Sequence, residues 1–159
     1  MKDCILGCLI GFLLFVIAIP FIMFLASPDF CFSILKLYLF STLSGVGITL
    51  SIWSIVYMYF VGKGNPMDAF SCRFVSRTSL LMTKGPYKLC RNPMLFGILI
   101  YYIGILIFLS SYKSFIVFIV FALIMVLQVY FEQRRLEDDF GKDYIEYKKN
   151  TKILIPFIW

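Results

Sequence analysis

Two short clusters hold the polar side chains able to do chemistry. One is Lys84-Gly85-Pro86-Tyr87-Lys88-Leu89-Cys90-Arg91-Asn92-Pro93-Met94-Leu95-Phe96-Gly97; the other, some forty residues on, is Phe131-Glu132-Gln133-Arg134-Arg135. An aromatic face attracts a cation, a guanidinium grips a carboxylate through paired hydrogen bonds, and a carboxylate holds an ammonium or a sugar hydroxyl. Such groups bind and orient a small charged ligand. The chain contains no histidine, so a Cys-His nucleophile and a Cys/His zinc centre are excluded and no metal is expected. Its five cysteines, Cys4, Cys8, Cys31, Cys72 and Cys90, form no CxxC pair and read as small apolar residues. There is no Walker loop, GxGxxG, HExxH or GxSxG, so a nucleotide-like ligand must be held by something other than a Rossmann unit.

The elements that position these clusters are apolar. Of 159 residues, 61% are hydrophobic and the mean hydropathy is +0.90. Long apolar runs cover Cys4 to Ala26, Ile34 to Val61, Pro93 to Ser110 and Phe115 to Phe131, the first two well beyond and the last two close to the ~18 residues that mark a spanning helix. The first exceeds the ~7–15 residues of a signal-peptide core and reads as a retained helix. The second is expected to tilt or to break near Ser44-Gly45-Val46-Gly47. The fold class is therefore all-α: a polytopic membrane bundle of about four transmembrane helices with a C-terminal cytosolic helical segment. A single membrane domain over 1–159 divides into two N-terminal spans (1–61), a basic loop (62–92), a helical hairpin (93–131) and a cytosolic or interfacial tail (132–159).

Charge sets the orientation. The net charge is +6, but Lys63, Arg73, Arg77, Lys84, Lys88 and Arg91 crowd between the second and third runs. Basic residues beside a span mark the cytosolic side, which places both termini there. They meet anionic lipid more readily than nucleic acid, which is not an expected partner. Trp53, Tyr57 and Tyr59 read as an interfacial aromatic belt. The loop opens with Gly62-Lys63-Gly64-Asn65-Pro66, too rich in turn formers for a helix, and Phe70 to Met82 suits a short helix on the membrane.

Pro93 suits the first turn of a helix, leaving the amides of Met94 and Leu95 unpaired at its positive end. The tight connection Ser110-Ser111-Tyr112-Lys113-Ser114 makes the last two spans an antiparallel hairpin. That hairpin brings Arg91-Asn92-Pro93 and Tyr130-Phe131-Glu132 to one membrane face. Gly141 reads as a helix stop, with Tyr144 and Tyr147 sharing a face beyond it, and Ile153 to Trp159 is an apolar ending that returns to the interface. Two readings of Glu132 stand together: a functional carboxylate at a membrane edge, or a helix-exit charge paired with Arg91 or Arg135.

In this order and spacing, Gly85-x-Tyr87, Arg91-Asn92-Pro93-Met94, Glu132, Leu136, Phe140-Gly141, Tyr144, Tyr147 and Pro156-Phe157-Ile158 resemble the superfamily of isoprenylcysteine carboxyl methyltransferases and phospholipid methyltransferases. The family pattern is roughly G-x-Y-x-x-x-R-H/N-P-M/x-Y-x-G, then E-E-x-x-L-x-x-x-F-G-x-x-Y-x-x-Y. The likeness covers residues 80–158, and Gly62 to Pro66 resembles the G-x-G-T-P opening of bacterial members. It implies S-adenosylmethionine bound between the last two spans and the C-terminal segment, with substrate entering from the lipid. Carried onto this chain, Leu81, Met82, Tyr87, Asn92, Pro93, Met94, Leu95 and Glu132 are the cofactor-binding positions. Glu132 and Arg91 stand at the reacting centre, and Arg134 and Arg135 are candidates for steering an acidic substrate group. Gln133 replaces the second glutamate and Leu95 the usual tyrosine.

The resemblance implies methyl transfer to a membrane-embedded, lipid-like or prenylated substrate. An isoprenylcysteine carboxylate is favoured, since it is already ionised and needs no base, and the chain offers no better general base than Glu132; a phospholipid amine, which must first lose a proton, is the alternative. Two rivals are a non-catalytic membrane partner that keeps the fold, and a nicotinamide-dependent reductase like the sterol reductases. The membrane is that of a bacterial or archaeal cell, or the endoplasmic reticulum.

Overall fold

Small residues recur at Ser44, Gly47, Ser51 and Ser54, three or four positions apart, so a helix there has one face nearly bare of side chains. Lipid tails are as apolar as leucine, so helices in a membrane associate where small residues let backbones approach. In a computed structural model, which describes residues 11–27, 31–62 and 80–155, that face receives a neighbouring helix. Helix α1 covers Leu13–Leu25. Helix α2, Ile34–Tyr57, is prolonged by a π turn at Met58–Gly62. Helices α3, Pro93–Leu109, and α4, Tyr112–Asn150, follow. The described residues contain no strand.

Helices α2 and α3 meet backbone to backbone. A Cβ on Gly97 would lie 2.9 Å from the backbone nitrogen of Ser51, and one on Gly47 would lie 2.8 Å from that of Tyr101. Ser51 Oγ donates to the Met94 carbonyl at 3.0 Å across the interface. The break expected near Ser44 to Gly47 is absent: α2 runs unbroken through these residues, whose smallness serves close packing. Tyr57 departs from the aromatic-belt reading. It is half-buried and lies under Gly85, where positive φ (62°) and the lack of a Cβ let the turn sit on the ring; Trp53 and Tyr59 are exposed.

Helix α1 contains Pro20, which offers no amide hydrogen to the carbonyls one turn back. The strand of backbone before it opens into a π turn over Leu13–Ala18. Tyr102 donates to the Phe15 carbonyl at 2.7 Å and Tyr101 to the Val16 carbonyl at 3.2 Å. Adjacent residues of α3 thus satisfy groups that hydrocarbon would leave bare, and Phe15 is fixed in the core.

Ser110 and Ser111 alone join α3 to α4; Ser110 takes the left-handed conformation (φ 48°) and its amide caps the Leu106 carbonyl. Helix α4 departs from helical geometry at Gly141 (φ 54°, ψ −122°), and beyond that bend Tyr144 and Tyr147 are buried with ring centres 6.2 Å apart. This agrees with the expected stop and second short helix. Ile34–Gly62 and Tyr112–Asn150 are long and apolar enough to cross a membrane; Leu13–Leu25 and Pro93–Leu109 are shorter apolar helices. The expectations for 63–66, for most of the short helix over 70–82 and for 156–159 lie outside the described residues.

Candidate functional site

Proline at the start of α3 and glycine before it confine residues 85–92 to a compact turn. Gly85–Lys88 forms one 3₁₀ turn, and Asn92 before Pro93 lies outside the α region (φ −125°, ψ 62°), which the following proline disfavours. The last described segment holds this turn from the side. Arg91 N–H donates to the Lys152 carbonyl at 2.8 Å, and Asn92 donates its N–H (3.2 Å) and its Nδ2 (3.0 Å) to the Ile153 carbonyl. From the bend of α4, the Tyr147 hydroxyl donates to the Tyr87 carbonyl at 2.5 Å. Asn92 is thus a structural clasp as well as a residue of the site.

Between this turn, α3 and the inward face of α4 lies a cavity of about 1000 Å³, counting its open mouth. Leu81, Met82, Tyr87, Arg91, Asn92, Pro93, Met94, Leu95 and Glu132 all line it. The structure brings together every residue that the sequence assigned to cofactor and reacting centre. On α4 the wall is Met125, Gln128, Val129, Glu132, Gln133, Leu136 and Phe140, a helical stripe. Arg134 and Arg135 fall off that stripe and do not line the cavity. Arg134 is exposed and lies over its own helix: its guanidinium is 4.8 Å from the Tyr130 ring centre and donates to the Tyr130 hydroxyl at 2.6 Å.

The electrostatics are those of a water-poor pocket. Burial, then the charge of Glu132, pushes the Tyr87 hydroxyl far above the ordinary tyrosine range. Burial does the same to Tyr147 and raises the Cys90 thiol to about 11. Tyr144 is raised by burial, with the charge and hydrogen bond of Arg91 opposing and Glu132 reinforcing. These hydroxyls are neutral donors at physiological pH, not bases. The charged groups on the wall are Arg91 and Glu132.

Several features escaped the sequence reading. Gln133 reads there as a departure from pattern, yet it is buried and its Oε1 accepts from Arg91 Nη1 at 3.2 Å. Gln128 lines the cavity one turn before Glu132; the spacing of four was its signal. The clasp by Lys152 and Ile153 is made by backbone, which composition does not reveal.

A family model described as phospholipid methyltransferase matches residues 35–143, a stretch holding α2, α3, most of α4 and the charged wall of the cavity. Among curated proteins, Protein-S-isoprenylcysteine O-methyltransferase B of Arabidopsis thaliana is 30% identical over 79 residues, covering 49% of this chain and 40% of that protein. The match therefore spans well under half of the relative's length. No solved structure matches. With the family model covering most of its length, Arg91, Asn92, Glu132 and Gln133 of the cavity wall included, the chain belongs to the phospholipid methyltransferase family.

Proposed function

We propose that this protein is an integral-membrane methyltransferase that moves a methyl group from S-adenosylmethionine to a lipid-like acceptor in the membrane. The observation that carries this reading is one cavity in which Tyr87, Arg91 and the start of α3 face Glu132, with apolar walls leading away from them. Four crossings with both termini in the cytosol agree with the basic residues between the second and third apolar runs.

The residues present suit the cofactor. Glu132 is matched to an ammonium or ribose hydroxyl, and Leu81, Met82 and Met94 offer apolar surface for an adenine. The Phe96 amide is the first of α3 to find a helical partner, Asn92 O at 3.0 Å. The amides of Met94 and Leu95 are therefore open to a carboxylate at the positive end of the helix. When bound, the cofactor would supply an electrophilic methyl on a sulfonium, with sulfur as the leaving group for the acceptor's lone pair. What the chain does is hold the two partners in line and keep water out. The clasp through Asn92 and the Tyr147–Tyr87 bond fix one wall, and Met125, Val129 and Phe15 give the apolar floor.

Calorimetric titration of S-adenosylmethionine into the detergent-purified protein, beside Glu132→Ala, tests the reading. Binding by the native chain that is lost in the variant is expected. Absence of binding by the native chain overturns the reading and leaves a non-catalytic member of the fold.

A further inference from the structure

One polar side chain of the α4 wall lies deeper in the membrane than the others. Between Phe115 and Phe131 the chain has no charged residue and a single side-chain amide, Gln128. A polar group inside a span is costly against hydrocarbon and is found facing a cavity or the bundle interior. Gln128 is half-buried and lines the chamber one turn membrane-ward of Glu132, roughly 6 Å along the helix axis at ~1.5 Å per residue. Beside and beyond it the wall is Phe15, Ile98, Met125 and Val129. All four are apolar, so leucine or methionine at 128 would serve for packing alone. Among the described residues the lining therefore has three tiers: charged and hydroxyl groups at the lip, the Gln128 amide, and an apolar floor.

We propose that Gln128 is a specificity-determining residue whose side-chain amide donates to a carbonyl in the linker of the lipid acceptor. The protein then takes lipids with an ester or amide carbonyl next to the methyl-accepting head in preference to lipids joined there by carbon alone. The inference rests on the methyltransferase reading and names, within it, the class of acceptor. A lipid whose tail fills the apolar floor and whose head reaches the lip has its linker level with Gln128. A carbonyl drawn into that water-poor space loses its hydration and needs a donor in return. The primary amide of glutamine carries two N–H donors, and no other side chain of the α4 wall at that depth carries one. A linker of carbon alone leaves the glutamine facing methylenes, which costs the polar group its partner instead. The charge of the head does not enter this selection.

The test uses two pairs of single-chain lipids matched in head and length: N-palmitoylglycine against nonadecanoic acid, and N-palmitoylethylenediamine against nonadecylamine. Affinities are measured by thermophoresis in one detergent with S-adenosylhomocysteine bound, so that nothing turns over. The native chain is compared with Gln128→Leu and Gln128→Met, which keep the bulk and remove the amide. Each lipid's partition into micelles is common to the three proteins, so the change in preference between them is what is read. In at least one pair the preference for the amide-linked lipid is expected to fall roughly five-fold in both variants, the scale of one hydrogen bond. S-adenosylmethionine affinity is expected to stay within about two-fold. A preference kept in either variant overturns the inference, as does a native chain that binds S-adenosylhomocysteine and none of the four lipids. An equal fall for every ligand, the cofactor included, also overturns it, since that is the mark of a purely structural role. Failure of the native chain to bind S-adenosylmethionine sinks the methyltransferase reading instead, so the two failures are distinct.

Discussion

The Tyr147 hydroxyl reaches the Tyr87 carbonyl at 2.5 Å, tying the segment beyond the bend of α4 to the turn that opens α3. Both side chains line the cavity and both are buried. The bond closes a loop of structure whose other ties are Arg91 on Lys152 and Asn92 on Ile153.

Tyr147→Phe keeps the ring and removes the donor, leaving a buried carbonyl unpaired at a cost of about 1–3 kcal/mol. Because the turn carries Tyr87 and Arg91, cofactor affinity is expected to fall roughly five-fold or more with helical content unchanged. Calorimetry and circular dichroism on the same sample check this.

Glu132→Ala is expected to weaken S-adenosylmethionine by at least ~10-fold, the usual scale for losing a charge-assisted hydrogen bond, with the fold intact. Glu132→Gln separates shape from charge: retention of tight binding would mean that hydrogen bonding alone suffices.

Gly97→Ala places a Cβ 2.9 Å from the Ser51 nitrogen. Backbone does not yield as a flexible side-chain tip does, so overpacking of about 1–3 kcal/mol is expected. A Cβ on Gly45, two residues from the contact, meets nothing within 4 Å, and Gly45→Ala is expected to be neutral or slightly stabilising by helix propensity. Thermal unfolding in one detergent distinguishes the pair.

Burial raises the folded Cys90 thiol from 9.0 to about 11, and it raises Tyr87 and Tyr147 in the same direction. The folded state therefore holds these protons more tightly than the unfolded chain does. The Cys90 contribution to stability is complete below pH 9 and is lost as pH climbs towards 11, while the tyrosines begin to lose theirs only above their ordinary value of 10.0. A melting temperature flat from neutral pH to about 8.5 and falling beyond is expected from the ordinary thiol value. At pH 8 iodoacetamide is expected to label exposed Cys31 well before buried Cys90.

Much of the site is legible in the sequence because its residues are unusual for their surroundings. Charge, proline and asparagine at the lip of an apolar run, and a glutamate at the exit of another, stand out against a lipid-facing background. Gly141 is equally legible, since a helix tolerates glycine poorly and a bend needs positive φ. The choice of helix neighbours is not. Runs such as Pro93–Leu109 are apolar on every side, so hydropathy picks out no face, and the intimate α2–α3 contact shows only as missing side chains at Gly47, Gly97 and Gly104. Gln133 is illegible for another reason: a glutamine says nothing of its role until the guanidinium it meets is seen. Arg134 and Arg135 mislead because two adjacent positions on a helix point about 100° apart, and neither direction is that of Glu132.

The bend at Gly141 makes the roof of the cavity a lever. Tyr147 stands six residues beyond it, roughly 9 Å along the axis at ~1.5 Å per residue. A rotation of ~20° about that point carries the ring about 3 Å, further than a hydrogen bond can stretch. A Cβ at Gly141 meets no neighbour within 4 Å, so the angle is set by backbone torsion and by the grip of Tyr147, Lys152 and Ile153 at the far end. The set of that chamber wall comes down to one backbone bend and the few hydrogen bonds that hold its far end.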